Sequence, residues 1–326
     1  MARRGRVLIG ISAFALGVGL LGLASPGWAE EPDPSVGPLT AAEAIAQARE
    51  TGEPVEVSSL TDEYTLVTAD PETGRLNAEL TAGVARVSDG AGGWREPSAA
   101  LVRGDDGTLR TEAGLLDVRI SAGGTTPLVQ ARTDEGAVVW SWPDPLPEVD
   151  TSGDTATFAE VWPGVDLVVK AGIEQVETFL VVKDRTAAAD PRVRSFSMPT
   201  SYEDLSPTTL PNGAVELRNS DNEAPLVISP ARMWDSAGAE QGVSSAVAIE
   251  ESDEAASAPV DLTATRAELR VEAAESLLDH PETVYPVIID PSVSLTRSYV
   301  VRVTQQFNTS NDMTVGGKIG YNGWTS

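Results

Sequence analysis

The feature that most constrains the fold is a pair of apolar runs, near the middle of the chain, that alternate side to side. In the first run Val165, Leu167 and Val169 fall on one face, and the second run has the same period and ends at Val182. A period of two, rich in β-branched residues, is typical of strands, and Gly172 between the runs indicates a turn. The sequence therefore predicts a β-hairpin near the middle of a β domain.

Polar residues occupy the opposite face of the predicted hairpin. They are Asp166 and Lys170 in the first run and Glu177 and Lys183 in the second. The hairpin carries no evident catalytic group, so its expected role is structural.

Short alternating segments continue on both sides of the hairpin, over residues 57–297. Turn sequences such as Asp89-Gly90 and Asn212-Gly213 separate them. Strands so closely spaced, with no helical pattern between them, indicate an antiparallel sandwich or barrel. We therefore expect an all-β fold, an antiparallel β-sandwich-like module behind a short N-terminal helix. If the module comprises two subdomains, the acidic stretch 238–259 is the expected seam.

A short helix is predicted ahead of the β module. Thr40 and Glu43 form a capping-box pattern, in which each side chain accepts a hydrogen bond from the backbone N–H of the other residue. Gly52 is the expected stop. Residues 30–56 thus comprise an acidic, proline-rich lead-in followed by this helix.

The first 29 residues have the organisation of a secretory signal peptide. A basic start is followed by an uncharged apolar run over residues 7–23 and by the small residue Ala29. This is the order of the basic, apolar and cleavage regions of such peptides. A retained membrane anchor is the alternative, because the apolar run is close to the shortest that spans a bilayer. We expect a secreted or cell-surface protein with no membrane span once residues 1–29 are removed.

The charge and the rare residue types exclude several classes of function. The formal net charge is −26, there is no cysteine, and His280 is the single histidine. So acidic a chain is a poor partner for nucleic acid or anionic lipid. The absence of cysteine excludes disulfides, a thiolate nucleophile and cysteine-ligated metal, and one histidine rules out a histidine-based zinc site.

Three stretches resemble the N-terminal region of large secreted actinobacterial proteins, the DNRLRE-domain, LamG-domain and RHS (YD-repeat) proteins. They are residues 162–191, which contain WPGVDLVVK, residues 285–294, YPVIIDPSVS, and residues 304–324. In that family the first block lies in an all-β N-terminal module, the second closes it, and the third begins a further sandwich. The resemblance implies that residues 298–326 begin a truncated DNRLRE-like domain. The chain is then a fragment of a longer gene product, or its tail docks on the preceding domain.

The resemblance also suggests which residues shape the module. The first group begins the central hairpin and the second frames the closing strand. They are Trp162, Pro163, Gly164, Val165 and Asp166 in the first group, and Tyr285, Pro286, Asp290 and Pro291 in the second.

The first functional hypothesis is a non-catalytic N-terminal module of a secreted or cell-surface multidomain protein. It would present downstream adhesion, repeat or toxin domains, and its partners would be those domains or cell-wall components. The first alternative is a carbohydrate-binding module that uses surface tryptophans, Trp140, Trp142 and Trp162, to bind polysaccharide. Core packing is the competing interpretation of these indoles.

The second alternative is a secreted, glycosidase-like hydrolase, which needs two carboxylates at a suitable separation. Glu160 near Trp162 and Asp144 near Trp142 are the candidates, because aromatic rings bind sugar faces. His280 lies in a loop, and no G-x-S-x-G elbow accompanies it. We assign no catalytic residue.

Structural calcium is the one ion that the composition suggests, because acidic loops supply the oxygen ligands that calcium prefers. None of the loops has the EF-hand pattern, and solvated turn residues are the competing interpretation. No other cofactor is expected. The candidate ligands are Asp105, Asp106, Asp150, Asp154 and Asp221, the last beside Asn222 and Glu223.

Overall fold

A computed structural model describes residues 37–81, 83–239 and 249–295. The predicted signal peptide at 1–29, most of the lead-in before the helix, and the expected DNRLRE-like segment at 298–326 lie outside these residues. Within the described residues, no helix is long and apolar enough to cross a membrane.

The described residues are mostly strand, with four short helices. The helices are α1 Ala41–Thr51, α2 Arg185–Ala188, α3 Pro191–Arg194 and α4 Glu275–Leu278. The first twelve strands are β1 Val55–Glu56, β2 Thr65–Ala69, β3 Leu76–Leu80, β4 Val87–Ser88, β5 Trp94–Arg95, β6 Ser98–Arg103, β7 Leu109–Ala113, β8 Asp117–Ile120, β9 Val129–Thr133, β10 Gly136–Trp140, β11 Asp150–Ser152 and β12 Thr155–Trp162. The next twelve are β13 Val165–Ala171, β14 Gln175–Val182, β15 Ser195–Glu203, β16 Ser206–Thr209, β17 Val215–Arg218, β18 Leu226–Ile228, β19 Arg232–Trp234, β20 Ser257–Pro259, β21 Asp261–Ala264, β22 Glu268–Glu272, β23 Val287–Asp290 and β24 Val293–Leu295.

The predicted N-terminal helix is confirmed, and its ends are as expected. The backbone N–H of Thr40 donates to a Glu43 carboxylate oxygen at 2.9 Å, and the Thr40 hydroxyl accepts from the Glu43 N–H at 3.4 Å. At the other end Gly52 has φ 74° and donates to the Ala48 carbonyl. This left-handed conformation costs glycine little, which is why the helix stops there.

Helix α1 and strands β1–β3 share a small core of their own. The helix contributes Ala44 and Ala48, and the strands and the turn after β1 contribute Val57, Val67 and Ala69. The boundary expected between residues 56 and 57 falls inside this unit, because β1 pairs with β2. The helix is thus a layer on the first three strands.

Two large antiparallel sheets form most of the rest of the fold, and β4 and β5 pair separately as a two-stranded sheet. The first sheet has the order β21-β22-β15-β10-β9-β8-β7-β6. The main path of the second sheet is β11-β12-β13-β14-β24-β18-β17-β16, with β23 bridging β14 and β19, and β20 at the edge of β19. One hydrophobic core draws on both sheets, for example Val118 and Trp140 from the first and Leu167, Leu180 and Leu217 from the second. The predicted all-β, sandwich-like fold is therefore confirmed.

The predicted central hairpin is confirmed as β13 and β14. Its pairs run from Val165–Val182 to Ala171–Val176, and the Gly172 N–H donates to the Gln175 carbonyl at the turn. The alternation predicted from the sequence sets which side chains enter the core between the sheets. We call the side of the second sheet that faces this core its inner face.

The opposite side of the second sheet, its outer face, is also buried along its centre. A second hydrophobic cluster there contains Val168, Phe179, Val181, Trp234 and Ile288. The Phe179 and Trp234 rings pack edge to face with centroids 6.2 Å apart. These strands therefore contribute apolar side chains on both faces, as strands at the centre of a layered fold do.

The closing strand lies inside the second sheet and not at its edge. β23 pairs with β14 on one side and β19 on the other, and β24 pairs with β14 and β18. Of the expected seam at 238–259, the structure describes residues 238–239 and 249–259. Its last residues form β20, which pairs with β19 and so belongs to the second sheet.

Candidate functional site

The outer face brings two acidic side chains together near one end. Lys170 and Glu177 are direct cross-strand partners, as are Asp290 and Arg232. The pairing of Leu180 with Ile289 places Asp290 diagonally across from Glu177 on the same face. Diagonal neighbours on a sheet are close enough for charged groups to interact. We call Glu177 and Asp290 the acid pair.

Both members of the acid pair hold a proton more tightly than an exposed carboxyl group does. Burial raises the pKa of Asp290 to about 6; the negative charge of Glu177 adds to this rise, while the Ser292 hydroxyl and Arg232 oppose it. Burial likewise raises the pKa of Glu177, against the opposing charge of Lys170 and with the help of Glu250 and Asp154. Desolvation is the dominant cause because it penalises the ionised form.

Residues 249–256, which we call the strap, lie over this face. Ile249 belongs to the outer hydrophobic cluster and Ala255 packs against it. The Lys170 ammonium lies 3.5 Å from a Glu250 carboxylate oxygen, and the Arg232 guanidinium lies 2.9 Å from one of Glu251. Each cation beside the acid pair is thus also an ion-pair partner of the strap.

Asp235, a buried residue, fixes the C-terminal end of the strap. Its carboxylate accepts from the backbone N–H groups of Ala237, Ala256 and Val284 at 3.2, 2.9 and 3.0 Å. One side chain therefore joins the turn after β19, the strap and the loop before β23. Satisfied in this way, a buried carboxylate is a structural group.

The other end of the outer face carries a second charged group, the corner cluster of Glu160, Asp166 and Lys183. The Lys183 ammonium lies 2.7 Å from the Asp166 carboxylate and 2.6 Å from that of Glu160. The hydrogen bond from Lys183 lowers the pKa of Glu160. Burial acts to lower the pKa of Lys183, but its hydrogen bonds to both carboxylates raise it overall. Both shifts favour the ionised forms of Glu160 and Lys183.

The residues predicted to begin the hairpin form the turn beside the corner cluster. The Glu160 N–H donates to Asp166 at 2.8 Å, and Glu160 itself has φ 55° where β12 bulges. Gly164 has φ 73°, and a Cβ there would lie 2.8 Å from the Cβ of Ala187. Glycine is therefore required at this turn. Pro163 is exposed, whereas Trp162 and Val165 are buried in the main core.

The residues predicted to frame the closing strand make contacts that fix the loop leading into β23. The Tyr285 hydroxyl donates to the Leu278 carbonyl at 2.8 Å, and the Arg185 guanidinium lies 5.5 Å from the Tyr285 ring centroid. The Pro286 carbonyl accepts from Ser236 at 2.6 Å. Pro291 is buried directly after β23, and Asp290 before it belongs to the acid pair.

The proposed glycan platform of tryptophans is not present on the surface. Trp140, Trp142 and Trp162 are only 1%, 6% and 2% exposed. Trp142 and Trp162 stack against each other with centroids 4.9 Å apart, and both contact Phe196. A sugar ring needs an exposed aromatic face, so the expectation of a surface row is corrected. These indoles fill the core between the sheets.

The two carboxylates named for a hydrolase have other partners. Asp144 accepts from the Trp162 indole N–H at 3.0 Å, and Glu160 belongs to the corner cluster. A glycosidase acid must be protonated at its working pH, whereas the pKa of Glu160 is lowered. His280 is exposed, and its imidazole Nδ1 accepts from the Glu282 N–H.

The calcium candidates lie in separate turns and strand ends. Asp105 and Asp106 lie between β6 and β7, Asp150 and Asp154 at β11 and the turn after it, and Asp221 between β17 and β18. The Asp106 carboxylate accepts from Thr108 and pairs with Arg119, as in a capped turn. In residues 37–81, 83–239 and 249–295, no group of three or more His, Cys, Asp or Glu side chains could hold a metal ion.

Two clefts occur elsewhere on the sandwich. The larger, of about 400 Å³, lies between the β9–β10 turn and Pro225. Its one cation, Arg132, is bound by both carboxylate oxygens of Glu203 at 3.1 and 2.5 Å. The smaller, of about 170 Å³, lies between Thr126 and Asp144. Neither cleft is lined by the acid pair.

The acid pair was missed at the level of sequence, although a signal for it exists. The runs VDLVV and TFLVV contain apolar residues on both faces, which is typical of strands covered on both sides. A polar residue within or directly beside such a run, Glu177 before TFLVV for example, is expected to be partly buried and to have a shifted pKa. No protein-family model and no curated protein matches this chain.

Proposed function

We propose that this protein is an exported, non-catalytic β-sandwich module that presents the polypeptide following Leu295 at the cell surface or outside the cell. Its role is to hold that segment at a fixed position on the folded module. The partners are then the downstream residues and, through them, components of the cell wall.

The observation that carries the proposal is the position of the strand from which the chain leaves the module. β24 is hydrogen-bonded on one side to β14 and on the other to β18. A strand inside a sheet resists fraying more than an edge strand does, because its N–H and C=O groups are paired on both sides. The backbone up to Leu295, the last described residue, is therefore held at a defined place in the sheet.

Two further observations support it. The signal-peptide pattern of residues 1–29 is the basis for export. The resemblance of residues 162–191 and 285–294 to N-terminal modules of secreted actinobacterial DNRLRE, LamG and RHS proteins agrees with a presenting role. The charged groups of the corner cluster hold structural positions, which favours a non-catalytic module over a hydrolase.

The test is to express the full chain, with an epitope tag after Ser326, in a bacterial host that exports proteins by the general secretory route. We expect the tag outside the cytoplasm, on intact cells or in the medium, with the mature N-terminus at Glu30. A tag found only in the cytoplasm would contradict export.

The presenting role is tested separately by fusing a small fluorescent domain after Ser326. The module and the fused domain should unfold in two independent transitions, and the midpoint of the module should match that of the unfused chain. A variant lacking residues 287–295 is the control, and it should lose the module's transition while the fluorescent domain remains folded. Hydrolysis of a polysaccharide by the purified chain would overturn the non-catalytic assignment.

A further inference from the structure

The strap and the acid pair compete for the same two cations. Lys170 has Glu177 beside it in the sheet and Glu250 in the strap. Arg232 likewise has Asp290 beside it in the sheet and Glu251 in the strap. The arrangement is the same on both sides: one cation between a sheet carboxyl and a strap carboxylate.

The state of the acid pair therefore determines how firmly the strap is held. When Glu177 and Asp290 are ionised, they share the two cations with the strap, and Glu177 repels Glu250. When the acid pair is protonated, both cations are left to the strap and this repulsion disappears. Opposite charges attract and like charges repel most strongly where water is partly excluded, as it is on this face.

We propose that residues 249–256 are a proton-controlled strap, which holds the apolar outer face more tightly when Glu177 and Asp290 are protonated. Among the described residues, the charged groups that act on the acid pair enter this balance, together with Glu251 of the strap, which pairs with Arg232. From β13 comes Lys170, from β19 Arg232, from the β11–β12 turn Asp154, and from the strap Glu250. The pKa of Asp290, raised to about 6, places its part of the change in the mildly acidic range, and the pKa of Glu177 is shifted in the same direction.

Loosening of the strap would uncover a defined surface. Phe179 and Trp234 are 5% and 6% exposed beneath it, beside Val181 and Ile288. At its other end the strap is attached by the hydrogen bond from the Ala256 N–H to Asp235 and continues directly into β20, which pairs with β19. The strap would therefore loosen from its Ile249 end and stay attached at Ala256.

The test is amide hydrogen exchange of the strap, followed by mass spectrometry at pH 5.0 and pH 8.0 and corrected for the intrinsic exchange rate at each pH. We expect protection of residues 249–256 to be roughly threefold to tenfold greater at pH 5.0, the size expected for one or two partly screened charge interactions. Peptides from β3, in the same sample, serve as the internal control and should keep constant protection.

Two double variants separate the proposal from a general effect of pH. Glu177→Gln with Asp290→Asn mimics the protonated acid pair and should give high protection at both pH values. Lys170→Met with Arg232→Met removes the shared cations and should give low protection at both.

Glu79→Gln on β3 is the matched control and should behave as the wild type. Equal wild-type protection at the two pH values, or greater protection at pH 8.0, overturns the proposal. This comparison uses only the wild-type protein, so it does not depend on whether a variant folds.

Discussion

The pKa of Glu160 at one end of the outer face and the pKa values of the acid pair at the other end are shifted in opposite directions. At the corner cluster, Lys183 donates directly to Glu160, and the pKa of that carboxyl is lowered. At the acid pair, Lys170 and Arg232 make their ion pairs with the strap, and burial raises the pKa of both carboxyls. A cation in direct contact thus outweighs desolvation, whereas a cation that is paired elsewhere opposes it only in part. The pKa of Glu160 is lowered at one end, and the pKa values of the acid pair are raised at the other.

The largest effect is expected at the corner cluster from Lys183→Met. Asp166 is a nearly buried carboxylate, with 7% of its side chain exposed, and it would lose its lysine partner. Removing one member of a buried pair leaves an uncompensated charge, and we expect a loss of about 2 kcal/mol in the free energy of unfolding after allowing for the partial exposure of the lysine. Urea unfolding at pH 7.5 measures this. A loss below about 0.5 kcal/mol would break the comparison, since it would make the corner cluster an ordinary surface pair.

At the acid pair, removing a charge should instead stabilise the protein. Asp290 has its pKa raised from 3.8 to about 6 in the folded state, so the folded protein binds more protons than the unfolded chain in that range. Stability therefore falls as pH rises through this window and is lowest above it. Asp290→Asn should stabilise the protein at pH 7.5 by about 1 to 2 kcal/mol and remove most of the decline. Unfolding curves from pH 4 to 8 check it; destabilisation at pH 7.5 would contradict it.

Neutralising a carboxylate at the other end should instead destabilise, but less. Glu160→Gln removes a carboxylate whose pKa is lowered, so its contribution is present above its ordinary pKa of 4.5 and is lost as pH falls through the lower folded value. More than half of the Glu160 side chain is exposed, which limits the loss at pH 7.5 to about 0.5 kcal/mol. If Glu160→Gln and Asp290→Asn change the free energy of unfolding in opposite directions in the same buffer, the contrast between the two ends is established.

The smallest effect on global stability is expected from Lys170→Met. Its strap partner Glu250 has 79% of its side chain exposed, and such pairs contribute little, so the change should be below about 0.5 kcal/mol. The same variant should lower the exchange protection of the strap at pH 5.0. A large global loss together with unchanged protection would mean that Lys170 stabilises the sheet and not the strap.

The sequence predicts the parts of this fold that depend on local chemistry. The capping box of Thr40 and Glu43, the stop at Gly52 and the hairpin around Gly172 are each set by residues within a few positions of one another, and all three are confirmed. The sandwich follows from the alternation. The contacts that join distant residues were not predictable, because alternation gives the face of a side chain but not its neighbour on the next strand.

The tryptophans and the acid pair show this difference. A strand pattern places Trp140 and Trp142 on one face but does not say whether that face is covered, and the second sheet covers it. Asp290 and Glu177 lie far apart in the sequence, and only the register of β14 with β23 brings them together. Their shifted pKa values arise from this long-range pairing and from the strap above it.

The place of the closing strand also has a consequence for how the chain acquires its structure. Without β23 and β24, the second sheet is in three parts: β11–β14, β16–β18, and the pair β19–β20. Contacts between residues so distant in sequence form late, because a long loop must first be closed. The three parts can join into one sheet only after residues 287–295 are available to pair with them. If the chain is exported as proposed, it cannot complete the second sheet until nearly all of the module has crossed the membrane, and folding on the far side would then prevent its return.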